Sequence, residues 1–192
     1  MKKLMAALLL LVAMSSVASA QPGLPYIGIS SDAEGIICQA DVTQYVATQV
    51  YVLAYLPPDI EGITAAEFRI DNLPTEAMSI NTFDWNTDLV IGSPGYGIAL
   101  AFPDPLMGPL CLLGTISFFP LADFGPDWRM TIMPSNDSGN NIVVDLDFIG
   151  HPCSADPFFF TFNCTGALPG GCDCTVGIAT EDATWGQIKA LY

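Results

Sequence analysis

Acid–base chemistry in this chain would have to use its single histidine, His151, or a pair among its 20 acidic residues. A Ser-His-Asp or Cys-His system would depend on His151, and the sequence contains no Gly-x-Ser-x-Gly nucleophile elbow. Two carboxylates could hydrolyse a glycosidic bond, and Asp145 and Asp147 would share one face of a strand. Acids in turns and on outward strand faces are more typical of a solvated surface, so the sequence predicts a protein that is not an enzyme.

Oxygen-bearing side chains recur at alternate positions in Asp84, Asn86 and Asp88, as they do at the start of an EF-hand loop. The glycine and the distal glutamate of that loop are missing. A second oxygen-rich loop contains Asn136, Asp137, Asn140 and Asn141. Asx-rich turns account for both loops without a metal. The sequence therefore predicts no cofactor, with calcium as the alternative.

Three aromatic residues, Trp85, Tyr96 and Trp128, could form a platform on which a sugar ring stacks. The same side chains could equally fill the core or close the ends of a β-sandwich. They are candidate ligand-binding residues on the first interpretation and structural residues on the second.

The chain has six cysteines, an even number, which in an oxidising compartment predicts up to three disulfides. Fifteen pairings are open, and the sequence does not choose among them. A four-thiolate zinc site built from the last four cysteines is the alternative, but its spacing lacks the paired knuckles of structural zinc sites. The candidate disulfide residues are Cys38, Cys111, Cys153, Cys164, Cys172 and Cys174.

Residues 1–20 have the features of a secretory signal peptide. Lys2 and Lys3 form a positive start, Leu4–Met14 is an unbroken apolar stretch, and Ala18-Ser19-Ala20 supplies small residues before a cleavage site. Eleven apolar residues would rise only about 16 Å as a helix, too little to span a bilayer. We therefore expect a secreted or extracytoplasmic protein, in the periplasm or at the cell surface, with no membrane insertion after cleavage.

The charge of the chain is almost entirely acidic. Beyond the signal, 3 basic residues stand against 20 acidic ones. Nucleic-acid binding and docking on anionic lipid both need clustered Lys or Arg, so the composition excludes these two classes. The expected partner is an extracellular or cell-surface protein or glycan.

Fifteen prolines and 17 glycines interrupt the chain at short intervals and leave little room for long helices. The segments between them are rich in Val, Ile, Thr, Tyr and Phe, which predicts an all-β fold. We expect one domain over residues 21–180, a disulfide-stapled, two-sheet antiparallel β-sandwich of the immunoglobulin-like or jelly-roll type, with a Cys-rich segment at 153–174. The expected strands are Tyr26–Ser30, Gly35–Val42, Val46–Leu56, Ala66–Asp71, Met78–Asp84, Gly97–Phe102, Leu110–Phe119, Trp128–Met133, Asn141–Ile149 and Pro157–Asn163.

Alternation predicts the orientation of two of these strands. In Ala66–Asp71, Phe68 and Ile70 should point inward. In Asn141–Ile149 the inward set should be Ile142, Val144, Leu146 and Phe148. The turn at 136–140 should join this strand to Trp128–Met133 as a hairpin.

Residues 181–192 form the predicted C-terminal amphipathic helix or tail. Thr184 and Gln187 have the spacing of a capping box. Trp185, Ile188 and either Leu191 or Tyr192 would then form one apolar stripe. A helix this short needs a surface to pack on.

The stretch YVLAYLPPDIEGITAAEFRIDNLP, residues 51–74, resembles the early hairpin of cohesin-like sandwiches, in which a hydrophobic strand and a loop lead to a strand of the pattern "gi.a.eF.i". The segments Gly97–Phe102 and Gly114–Phe119 are similar in order to the later cohesin strands. The resemblance covers roughly residues 45–135 and implies a β-sandwich. It does not imply a catalytic activity, and segment 153–174 departs from the pattern. The ending TWGQIKALY resembles the Trp-Gly-x-Ile-Lys-x-Leu-Tyr tails of uncharacterised secreted bacterial proteins.

These observations together favour a secreted, non-enzymatic β-sandwich protein with a structural, adhesion or assembly role in the cell envelope. The alternative is a carbohydrate-binding module, stabilised by calcium.

Overall fold

A computed structural model describes residues 23–154, 159–168 and 171–172. These residues contain β-strands and no helix. In chain order the strands are β1 (Tyr26–Ser30), β2 (Gln39–Ala40), β3 (Thr48–Tyr55), β4 (Gly62–Asp71), β5 (Ser79–Trp85), β6 (Leu89–Ser93), β7 (Gly97–Met107), β8 (Leu110–Pro120), β9 (Trp128–Met133), β10 (Ile142–Asp145), β11 (Gly150–Pro152) and β12 (Phe159–Phe162).

The strands form two sheets, as predicted. The first sheet has the order β1-β3-β8-β5. The second is built around β4, which pairs with β7 on one side and with both β9 and β10 on the other. Strand β6 lies outside β7, β11 lies outside β10, and β12 and then β2 lie beyond β9. All of these pairings are antiparallel except that of β12 with β2.

The core lies between the two sheets and follows from alternation along the strands. In β4, Phe68 and Ile70 are fully buried, as predicted. On the facing sheet Ile116 and Phe118 of β8 are fully buried as well. The ring centroids of Phe118 and Phe162 lie 5.2 Å apart, so a side chain of each sheet meets the other in the middle of the core. Burying side chains of this size contributes about 1.5–3 kcal/mol each.

The predicted orientation of the strand at Asn141–Ile149 is wrong. The strand ends at Asp145, and its fully buried residue is Val143, which pairs with Ala66 of β4. Ile142 and Val144 therefore face the outside of the sheet, and Phe148, in the turn after the strand, is 80% exposed. Because residues 142–144 are all apolar, alternation alone does not decide whether Val143 or its two neighbours face the core, and a shift of one residue exchanges the two faces.

The predicted hairpin between β9 and β10 is also wrong. Both strands run antiparallel to β4. Strand β9 pairs with Arg69–Asp71, and β10 pairs with an earlier part of β4, between Ile63 and Glu67. They lie end to end along one edge of β4, and residues 134–141 form the loop that connects them. The loop closes on itself because the Ser135 amide donates to the Asn140 carbonyl, at 2.7 Å.

The strand expected at Gly35–Val42 shrinks to Gln39–Ala40. In the residues before this short strand, the backbone N–H groups of Ile36 and Ile37 donate to the carboxylate of Asp32 and not to a neighbouring strand. In the described part of the chain, no helix is long and apolar enough to cross a membrane. The predicted signal peptide and the predicted C-terminal helix lie outside the described residues.

Candidate functional site

The outer face of the second sheet carries an apolar trough across four neighbouring strands, β6, β7, β4 and β10. Strand register aligns its side chains in two rows. One row is Leu89, Ala101, Ala65 and Val144, and the other is Ile91, Ala99, Glu67 and Ile142. The volume enclosed between them is about 480 Å³.

The shape of the trough follows from residue size. Three alanines and Glu67 on the two central strands make its floor, and longer aliphatic side chains on the two outer strands make its walls. Leu89 and Ile91, which form one wall, are 55% and 76% exposed. Adjacent strands are about 4.8 Å apart, so the backbones of the two wall strands lie about 14 Å apart across three strand spacings.

Two acids lie in the trough. Glu67 lies between Ala99 and Ile142 in the second row, and Asp88 precedes Leu89 at the end of one wall. The carboxylate of Glu67 accepts hydrogen bonds from Ser138 Oγ and, at 3.5 Å, from Asn140 Nδ2. Both donors are neutral, so a cation in an occupant of the trough would add a charge partner.

The outer face of the first sheet is different in kind. Its central positions are Gln49, Tyr51, Thr82, Asp84, Thr115 and Ser117, which register places side by side. The centre of that face is therefore polar, as expected where a sheet faces water, while the exposed Ile80 and Phe119 pair at one end of it. Only the second sheet combines a small-residue floor with exposed aliphatic walls.

Sequence reasoning missed the trough. The alternation in β7 gave a partial signal, because Ile98, Leu100 and Phe102 are buried while the intervening outward residues are alanines rather than polar residues. The two strands that form the walls, β6 and β10, could not be placed beside β7 and β4 from the sequence. Strand β6 was not expected, and β10 was assigned the opposite phase.

The aromatic candidates lie in three different places. Trp85, at the end of β5, packs on the core, with its ring centroid 6.1 Å from those of Phe68 and Phe83. Trp128, at the start of β9, packs on Phe124, and its Nε1 donates to the carbonyl of Asn72. Tyr96 is 56% exposed in the turn between β6 and β7.

The calcium candidates are divided between a strand and the turn that follows it. Asp84 is exposed on the polar outer face of β5. The side-chain amide of Asn86 donates to the Leu112 carbonyl at 3.3 Å, and Asp88 lies at the trough. Within the described ranges no group of three or more His, Cys, Asp or Glu side chains is placed to hold a metal ion.

His151 and Asp145 form an ion-pair contact that closes the turn between β10 and β11. Nε2 of His151 lies 2.7 Å from Oδ2 of Asp145, and Oδ1 accepts the N–H groups of Asp147 and Ile149. The hydrogen bond from His151, followed by that from Ile149, lowers the pKa of Asp145 below its usual value. Asp147 lies in the turn, so the expectation that it shares a strand face with Asp145 is wrong.

The cysteines divide into bonded and free residues. Cys164 and Cys172 form a disulfide, and Cys38 is disulfide-bonded to a cysteine outside the described residues. Cys111 and Cys153 are free and buried, so the maximum of three disulfides is not reached. Burial raises the pKa of the Cys111 thiol to about 11 and that of Cys153 to about 12. The disulfide between Cys164 and Cys172 also excludes the alternative four-thiolate zinc site.

Comparison with known proteins gives matches among solved structures alone. No protein-family model and no curated protein matches the chain. A cohesin module from a Clostridium perfringens family 33 glycoside hydrolase is similar at 13% identity and a TM-score of 0.49, covering 73% of this chain and 98% of that one. CaCohA2 from Clostridium acetobutylicum gives 13% and 0.44, covering 79% and 97%.

A type III cohesin module from the ScaE cell-surface anchoring scaffoldin of Ruminococcus flavefaciens is similar at 12% identity and a TM-score of 0.35, covering 69% of this chain and 78% of that one. The predicted resemblance to cohesin-like β-sandwiches is confirmed. The similarity carries no assignment of a partner.

Proposed function

We propose that this chain is an exported, non-enzymatic β-sandwich module that binds a partner protein at the cell envelope, in an adhesion or assembly role. The observation that carries the proposal is the apolar trough. A contiguous apolar surface on the outside of a domain is typical of an interaction site. The acidic surface elsewhere supplies solubility, so it does not explain why aliphatic side chains remain exposed on β6.

The dimensions of the trough favour a helical ligand. The backbones of the two wall strands are about 14 Å apart, and a helix with its side chains is about 10–12 Å in diameter, so one helix lying along the strands would cover the trough from wall to wall. Alanines in the floor allow a close approach, and the aliphatic walls can contact an apolar stripe from both sides. This arrangement corresponds to the recognition of an amphipathic helix in a groove.

The proposal can be tested by retention of the purified protein on isolated envelopes of the bacterium that produces it. Ala101→Glu places a charge in the floor of the trough, and we expect it to reduce retention at least tenfold. Thr115→Glu is the matched control, because it places the same charge on the outer face of the first sheet. Circular dichroism and the unfolding midpoint of both variants check that they are folded.

Treatment of the envelopes separates the two kinds of partner. If the partner is a protein, protease treatment abolishes retention and glycosidase treatment leaves it unchanged. The opposite result would support a carbohydrate-binding module and overturn the proposal. Equal retention of Ala101→Glu and Thr115→Glu would show that the trough is not the binding face.

A further inference from the structure

We propose that the trough is occupied by the C-terminal segment of the same chain, Thr184–Tyr192, which competes with the partner for this surface. The inference rests on the proposed function of the trough as a helix-binding face. It adds the regulation of that face, because a partner would bind only when the segment is released.

The segment matches the trough in pattern. If it is helical, Trp185, Ile188, Lys189 and Tyr192 lie at positions i, i+3, i+4 and i+7, which share one side of a helix. Three of these side chains are apolar and could contact the alanine floor and the aliphatic walls. Trp185, the neighbouring pair Ile188 and Lys189, and Tyr192 follow one another at about one helical turn, 5.4 Å, along the axis, and the two rows of the trough are about 7 Å apart.

The segment also matches the trough in charge. Among the described residues, Arg69 pairs with Asp71, and Arg129 donates to the Gly171 carbonyl and lies over the ring of Phe159. Lys189 is the sole lysine after the predicted signal. In the predicted helix it would share a side with the apolar stripe, and the trough contains Glu67 and Asp88.

The intervening chain is long enough. Nine residues, 175–183, separate the last cysteine, Cys174, from Thr184, and fully extended they span about 30–32 Å. Arg129, which donates to the Gly171 carbonyl, lies two residues along β9 from the pairing of Thr131 with Asp71. That contact is therefore about six strand residues, or roughly 20 Å, from Glu67. A segment tethered this closely has an effective concentration in the millimolar range, so even weak binding within one molecule would fill the trough.

The test uses zero-length carbodiimide coupling, which joins a lysine amine to a carboxylate in direct contact. In the full chain without its signal, Lys189 supplies the only lysine amine, so each lysine cross-link reports the position of the segment. We expect mass spectrometry of the monomer to show Lys189 joined to Glu67 or Asp88. Trp185→Asp should reduce the yield of this product at least fivefold, while Ala190→Asp, on the other side of the predicted helix, should not.

Two results would overturn the inference. Lys189 could be joined to acids away from the trough, or the product with Glu67 or Asp88 could form only between two molecules. Partner binding gives an independent readout: Trp185→Asp should increase retention on envelopes several-fold, and equal retention would contradict competition by the segment. If cross-linking fails but Ala101→Glu still abolishes retention, the proposed function stands and only the competing segment is wrong.

Discussion

Val143 and Val144 are neighbours in β10 that face opposite sides of the sheet. Val143 is fully buried against the core, whereas Val144 faces the trough. Val143→Ala should lower the free energy of unfolding by about 2 kcal/mol, since it removes two buried methyl groups and leaves a cavity. Val144→Ala should change it by less than about 0.5 kcal/mol. Urea unfolding measures both, and equal effects would contradict the observed phase of β10.

The two free thiols should be chemically silent in the folded protein. Cys111 and Cys153 are 2% and 8% exposed, and burial raises the pKa of each, so little thiolate is present at pH 8. Iodoacetamide without reductant should label neither residue in the native protein and both in 8 M urea, as read by peptide mass spectrometry. Labelling at similar rates in both states would show that these residues are not buried thiols.

The contact between Asp145 and His151 predicts a pH dependence of stability. Folding lowers the pKa of Asp145 below its unfolded value of about 3.9, so this carboxylate stabilises the folded state above about pH 4. The contribution is lost as the pH falls through the folded pKa. Asp145→Asn should therefore lower the urea midpoint at pH 5.5, and its difference from the unchanged protein should shrink below pH 4.

The control for this measurement is Asp147→Asn, which changes an exposed acid in the same turn. Its urea midpoint should follow that of the unchanged protein at both pH values. If Asp145→Asn behaves in the same way as this control, the contact with His151 does not stabilise the turn.

At the scale of elements, the sequence was sufficient where one face of a strand is apolar and the other polar. Strand β4 was predicted correctly in phase because Glu67 and Arg69 separate Phe68 from its apolar neighbours in the core. Strand β10 was not, because Ile142, Val143 and Val144 are all apolar and only pairing with β4 decides which of them is buried. The relation of β9 to β10 likewise depends on a shared partner strand that is distant in sequence.

Close contact between β5 and β8 depends on Gly114. A Cβ at this position would lie 2.6 Å from the Asp84 carbonyl oxygen and 2.9 Å from Cα of Trp85, and neither backbone atom can move alone. Gly114→Ala should therefore separate the two strands and cost about 1–3 kcal/mol. Gly150→Ala is the control, because its nearest contact would be a side-chain carbon of Ile142 at 3.8 Å. Equal midpoints for the two variants would contradict the tight approach.

At the scale of the whole molecule, composition predicted the class of fold, and alternation predicted many of the strands. The trough was beyond this reasoning, since no single segment contains it. Its floor and walls come from four strands, and alanines such as Ala65 and Ala99 have no signature of a site until register places Ala65 beside Val144 and Ala99 beside Ile91. A binding surface made from small residues is visible only after the sheet is assembled.

The excess of acids makes the stability of the molecule depend on salt. The formal net charge is −15, and the described residues contain two arginines, Arg69 and Arg129, and no lysine. Repulsion among carboxylates should therefore dominate, and salt screens it. Raising NaCl from 10 to 200 mM should increase Tm by roughly 2–5 °C, measured by scanning calorimetry at pH 7.

A comparison of divalent ions in the same experiment separates screening from binding. Calcium and magnesium at equal concentration should raise Tm equally if they only screen the acidic surface. The candidate ligands Asp84, Asn86 and Asp88 are divided between the end of a strand and a turn, and Asn86 already donates its amide to the Leu112 carbonyl. A larger increase with calcium that Asp88→Asn abolishes would instead establish a calcium site, because screening by the whole surface does not depend on one carboxylate.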